Sequence, residues 1–248
     1  MSKILVLFVF HEFNERVLMF LNKSIFYDDY VDFIIICNNK SIDINSYIKY
    51  TNTSVLYRDN NGWDFGGWSD GLLTDNLYMN YSHFIFVNST VIGPFLKPSF
   101  RGKWTDIYVK NLTNNVKLFG SFINANIYDE SINDPKLSWA SIHVQSFIFS
   151  MDKEALDYLI VQGIFSNKYY TKTQLETIQN REIKMSRCII ENGWNIGSLL
   201  RRYRSVDFTM LNKNIINYND KFLGDIAFPK YENKLWIREN VVFIKGNR

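Results

Sequence analysis

The sequence predicts an α/β fold: a mainly parallel central sheet with helices packed on both faces. Three observations carry this. Apolar runs of strand length alternate with segments of helical period through the first ninety residues, the order that β-α-β crossovers produce. Those runs are apolar at successive rather than alternate positions, as in strands covered on both faces. Each run also stops abruptly in polar residues, and ligands of such sheets bind beyond the carboxyl ends of the strands.

Lys3 to Phe10 reads as the first buried strand. It ends at His11-Glu12 with no small-residue cleavage site, so a strand is expected there rather than a secretory leader. Glu12 to Asn22 follows as a helix, with Phe13, Val17, Phe20 and Leu21 on one face. Val31 to Cys37 is the second strand, closed by Asn38-Asn39, and Ser46 to Tyr50 a short helix. Ser54 to Tyr57 is a third strand, Trp68 to Met79 a helix, and His83 to Val87 a fourth strand broken at Asn88-Ser-Thr90. Farther on, Lys117–Phe122, Val144–Ser150 and Trp194–Leu200 read as strands. Asp152 to Gln162 is a helix capped by Asp152 and stopped by Gly163, and a long helix is expected over Thr173–Asn192. Val241 to Arg248 closes the sequence as an apolar run with a basic end.

No repeat or linker divides the 248 residues, so one domain is expected over 1–248. With 46% hydrophobic and 21% charged residues, a large core is available and an ordered chain is expected. A formal charge of +3 is too small to argue for nucleic acid and leaves room for a small anionic ligand. Cys37 and Cys188 sit among apolar neighbours without metal-ligand spacing. They read as buried free thiols of a reducing, cytoplasmic setting. No run approaches the ~20 apolar residues that span a bilayer.

The most informative stretch is Arg58 to Leu72, which holds Gly62, Gly66, Gly67, Trp63 and Trp68 between a strand and a helix. Glycines let backbone approach a ligand, and a helix start turns free N–H groups toward an anion. That points to a diphosphate cradle; a Gly-rich turn plugged by aromatics is the competing reading of this stretch alone. His11, Asn38, this loop and Asn88-Ser-Thr90 all lie at strand ends. Their shared rim favours the cradle.

Asn61-Gly-Trp-Asp-Phe-Gly-Gly-Trp68, then Asn88-Ser-Thr-Val-Ile-Gly-Pro94, Gly120 and His143-Val-Gln-Ser-Phe147 together resemble the rhamnan synthesis protein F family, over roughly residues 55–200. The wider resemblance is to GT-A glycosyltransferases. It implies a nucleotide-diphospho-sugar transferase-like α/β/α sandwich, with a nucleotide-binding half at 1–95 and an acceptor-side half at 96–248. The implied donor site takes Phe10, His11 and Asn38 for base and ribose, and Asp64, Gly66 and Gly67 for ribose or diphosphate. Arg58, Asn61, Gly62, Asn88, Ser89 and Thr90 complete it.

GT-A enzymes usually carry Asp-x-Asp where this chain has Asn88-Ser-Thr90. The resemblance therefore implies Mn²⁺ or Mg²⁺ at Asn88 and Thr90, yet neutral oxygens hold a divalent ion weakly. Two readings stay open: a weak metal site completed by the donor's phosphates, or a metal-free site in which cations offset the leaving diphosphate. Arg58, Arg201, Arg202, Arg204, Lys245 and Arg248 are the candidate cations, Lys245 and Arg248 because they close an apolar run.

His143 and Gln145 point to one side of a strand start and read as sugar or acceptor contacts, His143 with base chemistry in reach. Glu182 leads a segment similar to the GT-A helix whose acidic residue is the general base; Ile183 stands where a second acid is usual. Among Trp63, Trp68, Trp139 and Trp194, Trp63 is the best candidate for stacking on a sugar. The expected function is transfer of a sugar from a UDP- or dTDP-sugar to a glycan or glycoprotein acceptor. The alternative is a decayed GT-A scaffold serving as a glycan-binding or assembly subunit, motivated by the lost Asp-x-Asp.

Overall fold

A computed structural model describes residues 3–125, 142–210 and 236–246. Its centre is a seven-stranded sheet in the order β10-β6-β9-β4-β1-β2-β3. The strands are β1 (Ile4–Phe10), β2 (Val31–Cys37), β3 (Thr53–Tyr57), β4 (His83–Asn88), β6 (Val116–Gly120), β9 (Ile148–Asp152) and β10 (Asn195–Ser198). Only β9 runs against its neighbours; the other six are parallel. The mainly parallel sandwich expected from the sequence is thus present.

Strand β1 is buried along its whole length because β2 and β4 flank it and helices cover both faces. Helix α1 (Glu15–Lys23) starts where the Asn14 side chain accepts from the N–H groups of Arg16 and Val17. That cap moves its start beyond the expected Glu12. Helix α3 (Trp104–Lys110), absent from the sequence reading, packs Trp104 and Tyr108 against Phe243 at ring distances of 5.1 and 6.3 Å. Helix α4 (Lys153–Val161) has the expected Asp152 cap.

Helix α2 corrects an expectation. It runs from Trp63 to Leu73, five residues earlier than Trp68, and gives way to a 3₁₀ segment at Thr74–Asn80. Gly62 precedes it with φ at +72°, a conformation that glycine adopts without strain. Gly66 and Gly67 therefore sit inside a helix. A Cβ at Gly66 would lie 2.0 Å from the Asn61 carbonyl oxygen, and one at Gly67 would lie 2.8 Å from Val9 Cγ2. These glycines let α2 press onto the sheet, and Trp68 stacks edge-on against Phe86 and Phe149 beneath it at 5.6 and 5.4 Å.

The second half is broken more finely than its apolar pattern indicates. The expected Lys117–Phe122 strand ends at Gly120 as β6, and the two-residue β7 (Ile123–Asn124) follows beyond it. The expected Val144–Ser150 strand becomes β8 (His143–Val144), paired with β7, and then β9. The long helix resolves into α5 (Gln174–Thr177), a π-helical segment (Ile178–Ile183) and α6 (Lys184–Glu191). Near the end, α7 (Arg238–Val241) leads into β11 (Ile244–Lys245), which pairs antiparallel with β5 (Val91–Ile92). Among the described residues no helix is long and apolar enough to cross a membrane.

Candidate functional site

The carboxyl ends of β1 to β4 form one rim, and its polar residues fall into two groups. The first is a closed network around Arg58. Its Nε donates to Asp70 Oδ2 at 2.7 Å, one terminal nitrogen to Asn38 Oδ1 at 2.8 Å, and the other to the Asn61 carbonyl at 2.7 Å. Asn38 in turn donates to Asn60 Oδ1 and to the Trp63 carbonyl, while Tyr170 donates to Asp70 Oδ1 at 2.6 Å. This buried guanidinium is neutralised by Asp70 and fixes the entry of α2. Its donors are spent on protein, so it is not placed to offset a ligand's charge as the sequence reading expected.

The second group converges on Asp64, in the first turn of α2. Asn88, at the tip of β4, donates its amide to Asp64 Oδ2 at 2.9 Å. Its carbonyl oxygen accepts from the Thr90 N–H at 3.0 Å and the Thr90 hydroxyl at 2.6 Å. Arg16 Nε holds the Ser89 carbonyl at 3.1 Å, and the Gly246 N–H holds that of Thr90 at 2.7 Å. The pairing of β11 with β5 sets Lys245 opposite Val91, just past this turn.

The Asp64 carboxyl is pushed up to about 6, chiefly by burial. The Asn88 hydrogen bond opposes that rise, the charge of Glu182 adds to it, and the Lys245 ammonium opposes it again. Asp64 retains some open surface, but protein packs closely around the carboxyl, so desolvation decides the sign. Asp64, Glu182 and Lys245 therefore share one electrostatic neighbourhood.

Glu182 lies in the π-helical segment, a geometry that often re-aims a side chain at functional sites. Its Oε1 accepts the Ser146 N–H at 2.8 Å and stands 3.9 Å from His143 Nε2. His143 and Gln145 are buried at 8% and 4% exposure, so the His143-Val-Gln-Ser146 segment folds over the Glu182 carboxylate. Asp64, Asn88, Thr90, Lys245, Glu182 and His143, far apart in sequence, are thereby gathered.

Other expected residues lie elsewhere. Phe10 is a core ring, 1% exposed and edge-on to Phe13, which takes it out of an open base pocket. His11 is exposed and holds the Asn38 carbonyl with Nδ1 at 2.9 Å. Trp63 is half-buried at the start of α2, Trp68 is core, and Trp194 meets Tyr158 at 5.5 Å. Arg201 and Arg202 lie in a 3₁₀ turn after β10, and Arg204 follows it. Trp139 and Arg248 fall outside the described residues. Sequence reasoning gave no role to Asp70 and Ser146, though both lie in the stretches it singled out, and missed Tyr170 and Arg16, which only long-range pairing reveals.

The donor set at Asp64 does not fit a tightly held divalent cation. Among the described residues it offers the Asp64 carboxylate, turned to an amide N–H, and that of Glu182, which accepts the Ser146 N–H, in the field of an ammonium; Mg²⁺ and Ca²⁺ want several anionic oxygens. Among the described residues no cluster of three His, Cys, Asp or Glu side chains could hold a metal.

The fold and rim define a class: a mixed α/β protein with its polar crevice at the carboxyl ends of parallel strands. The model of rhamnan synthesis protein F matches residues 33–243, and the chain belongs to that family. Membership supports a transferase of polysaccharide synthesis. No curated protein matches the chain. Similar solved structures include a Bacillus anthracis protein assigned as a glucose-1-phosphate thymidylyltransferase, crystallised with a sucrose. Its identity is 14% and its TM-score 0.42, over 80% of this chain and 86% of that one. Another is the glycosyltransferase GlyE of Streptococcus pneumoniae TIGR4, at 13% identity and a TM-score of 0.42, over 97% of this chain. The chain spans 59% of GlyE's length.

Proposed function

We propose that the chain is a GT-A-type glycosyltransferase that moves a sugar from a UDP- or dTDP-sugar to a glycan or glycoprotein acceptor. One observation carries this reading: Asp64, Asn88, Lys245, Glu182 and His143 are brought together at one rim, where Asp64, Glu182 and Lys245 act on one another as charges. The donor's diphosphate lies against the Asn88–Thr90 turn, where the Lys245 ammonium stabilises the charge that grows on the leaving group. Glu182, steadied by the Ser146 N–H, accepts the proton of the acceptor hydroxyl, with His143 beside it. Asp64 accepts from Asn88 and holds that turn in register.

Calorimetry with UDP and dTDP, with and without Mn²⁺, tests the assignment on the wild-type chain and on Lys245→Met. Binding in the absence of Mn²⁺ is expected, weakened at least tenfold by the substitution. Absence of binding to either nucleotide under both conditions overturns the reading. Binding without turnover of any donor identifies a glycan-assembly subunit on a transferase scaffold instead.

A further inference from the structure

A second cleft, of about 400 Å³, opens between the 96–100 loop, α3, the ends of β6 and β10, and α7. It shares no residue with the Asp64 group. Its size is within the range of small-ligand sites, and its lining mixes apolar side chains with an excess of cations. Lys97, Arg201 and Arg204 line it against a single carboxylate, Glu239. The arginines are set by backbone geometry. Arg201 begins a 3₁₀ turn and the Arg204 N–H bonds its carbonyl at 3.3 Å, and residues three apart on such a turn project to the same side. Tyr203, between them, is turned inward at 2% exposure.

Two further facts describe the polar groups of the cleft. Among the described residues neither Arg201, Arg204 nor Lys97 has a side-chain ion pair. Ser198, only 4% exposed and part of the lining, has a hydroxyl with no hydrogen-bond partner there.

We infer that this cleft is an anion-binding site for a phosphoryl group, separate from the crevice at Asp64. Two planar guanidinium groups on one side of a turn suit tetrahedral oxyanions, which they grip through paired N–H bonds. Lys97 adds a point charge, and Glu239 sets a limit on how many negative charges the site admits. The phosphoryl group is either carried on a saccharide or free in solution, and the inference stands without the donor assignment.

The test is calorimetry on the intact chain with glucose 1-phosphate, inorganic phosphate and methyl glucoside, in parallel with UDP. Arg201→Gln/Arg204→Gln is the variant, with Lys97→Met as a second in case the first fails to fold. Phosphate and glucose 1-phosphate are expected to bind wild type and to lose affinity roughly tenfold or more in the variant. Methyl glucoside is expected not to bind, and UDP affinity to stay within about twofold. Tighter binding of glucose 1-phosphate than of phosphate assigns the phosphoryl group to a saccharide; equal binding assigns it to the free ion. Phosphate affinity unchanged in both variants overturns the inference, as does an equal loss for UDP and phosphate, which would place both ligands in one site.

Discussion

The two polar groups on the same rim differ in what their charges face. Around Arg58 every guanidinium nitrogen finds a protein acceptor, and the buried cation has its own carboxylate in Asp70. Around Asp64 two carboxylates and an ammonium share a space in which burial, rather than pairing, dominates the Asp64 titration. On the proposed reading the closed network is scaffold and the Asp64 group is where the chemistry falls. The lesson is that position at a strand tip does not by itself mark a functional residue. The completeness of its partners does.

Substitutions can break this contrast, and the largest effect is expected at Glu182. Glu182→Gln keeps the Ser146 contact and removes only the base, so donor turnover should fall by roughly 10²–10⁴-fold with the urea midpoint unchanged. A loss of stability in place of a loss of rate would move Glu182 into the scaffold. At the closed network the outcome is reversed. Asp70→Asn leaves the buried Arg58 cation uncompensated and should cost about 3 kcal/mol of unfolding free energy, read by urea denaturation, with nucleotide affinity kept in the folded fraction.

The smallest effect is a pH dependence. Asp64 titrates at about 6 in the folded chain, above the ordinary carboxylate value of 3.8. Between those values the folded state holds a proton that the unfolded chain has lost, so stability falls as pH rises through this window. Asp64→Asn removes that slope. The variant should gain on wild type, on the order of 1–2 kcal/mol at pH 8, allowing for the solvent that still reaches the site. Parallel stability–pH curves for the two proteins would contradict the raised titration.

How far the sequence speaks follows from the range of the forces involved. Strands β1, β2 and β4 are legible because a strand buried on both faces must be apolar throughout. Helix α4 is legible through its Asp152 cap. By contrast β5, β8 and β11 are two residues long and exist only through their partners, so no local period announces them. Gly66 and Gly67 were expected to face a ligand because glycine signals close approach. The approach is real, but it is to Asn61 and Val9. Asp64, Asn88, His143 and Glu182 were each legible as polar residues in a family-like pattern. Their mutual contact was not, since the Glu182–Ser146 bond spans 36 positions.

The short β11–β5 ladder carries a consequence for biogenesis. Lys245 reaches the Asn88–Thr90 turn only when this ladder forms. Ribosomes release a chain from its amino end, so all seven strands of the main sheet emerge before that ammonium does. A chain cut before β11 would thus keep the seven-stranded framework and lose the cation that acts on Asp64.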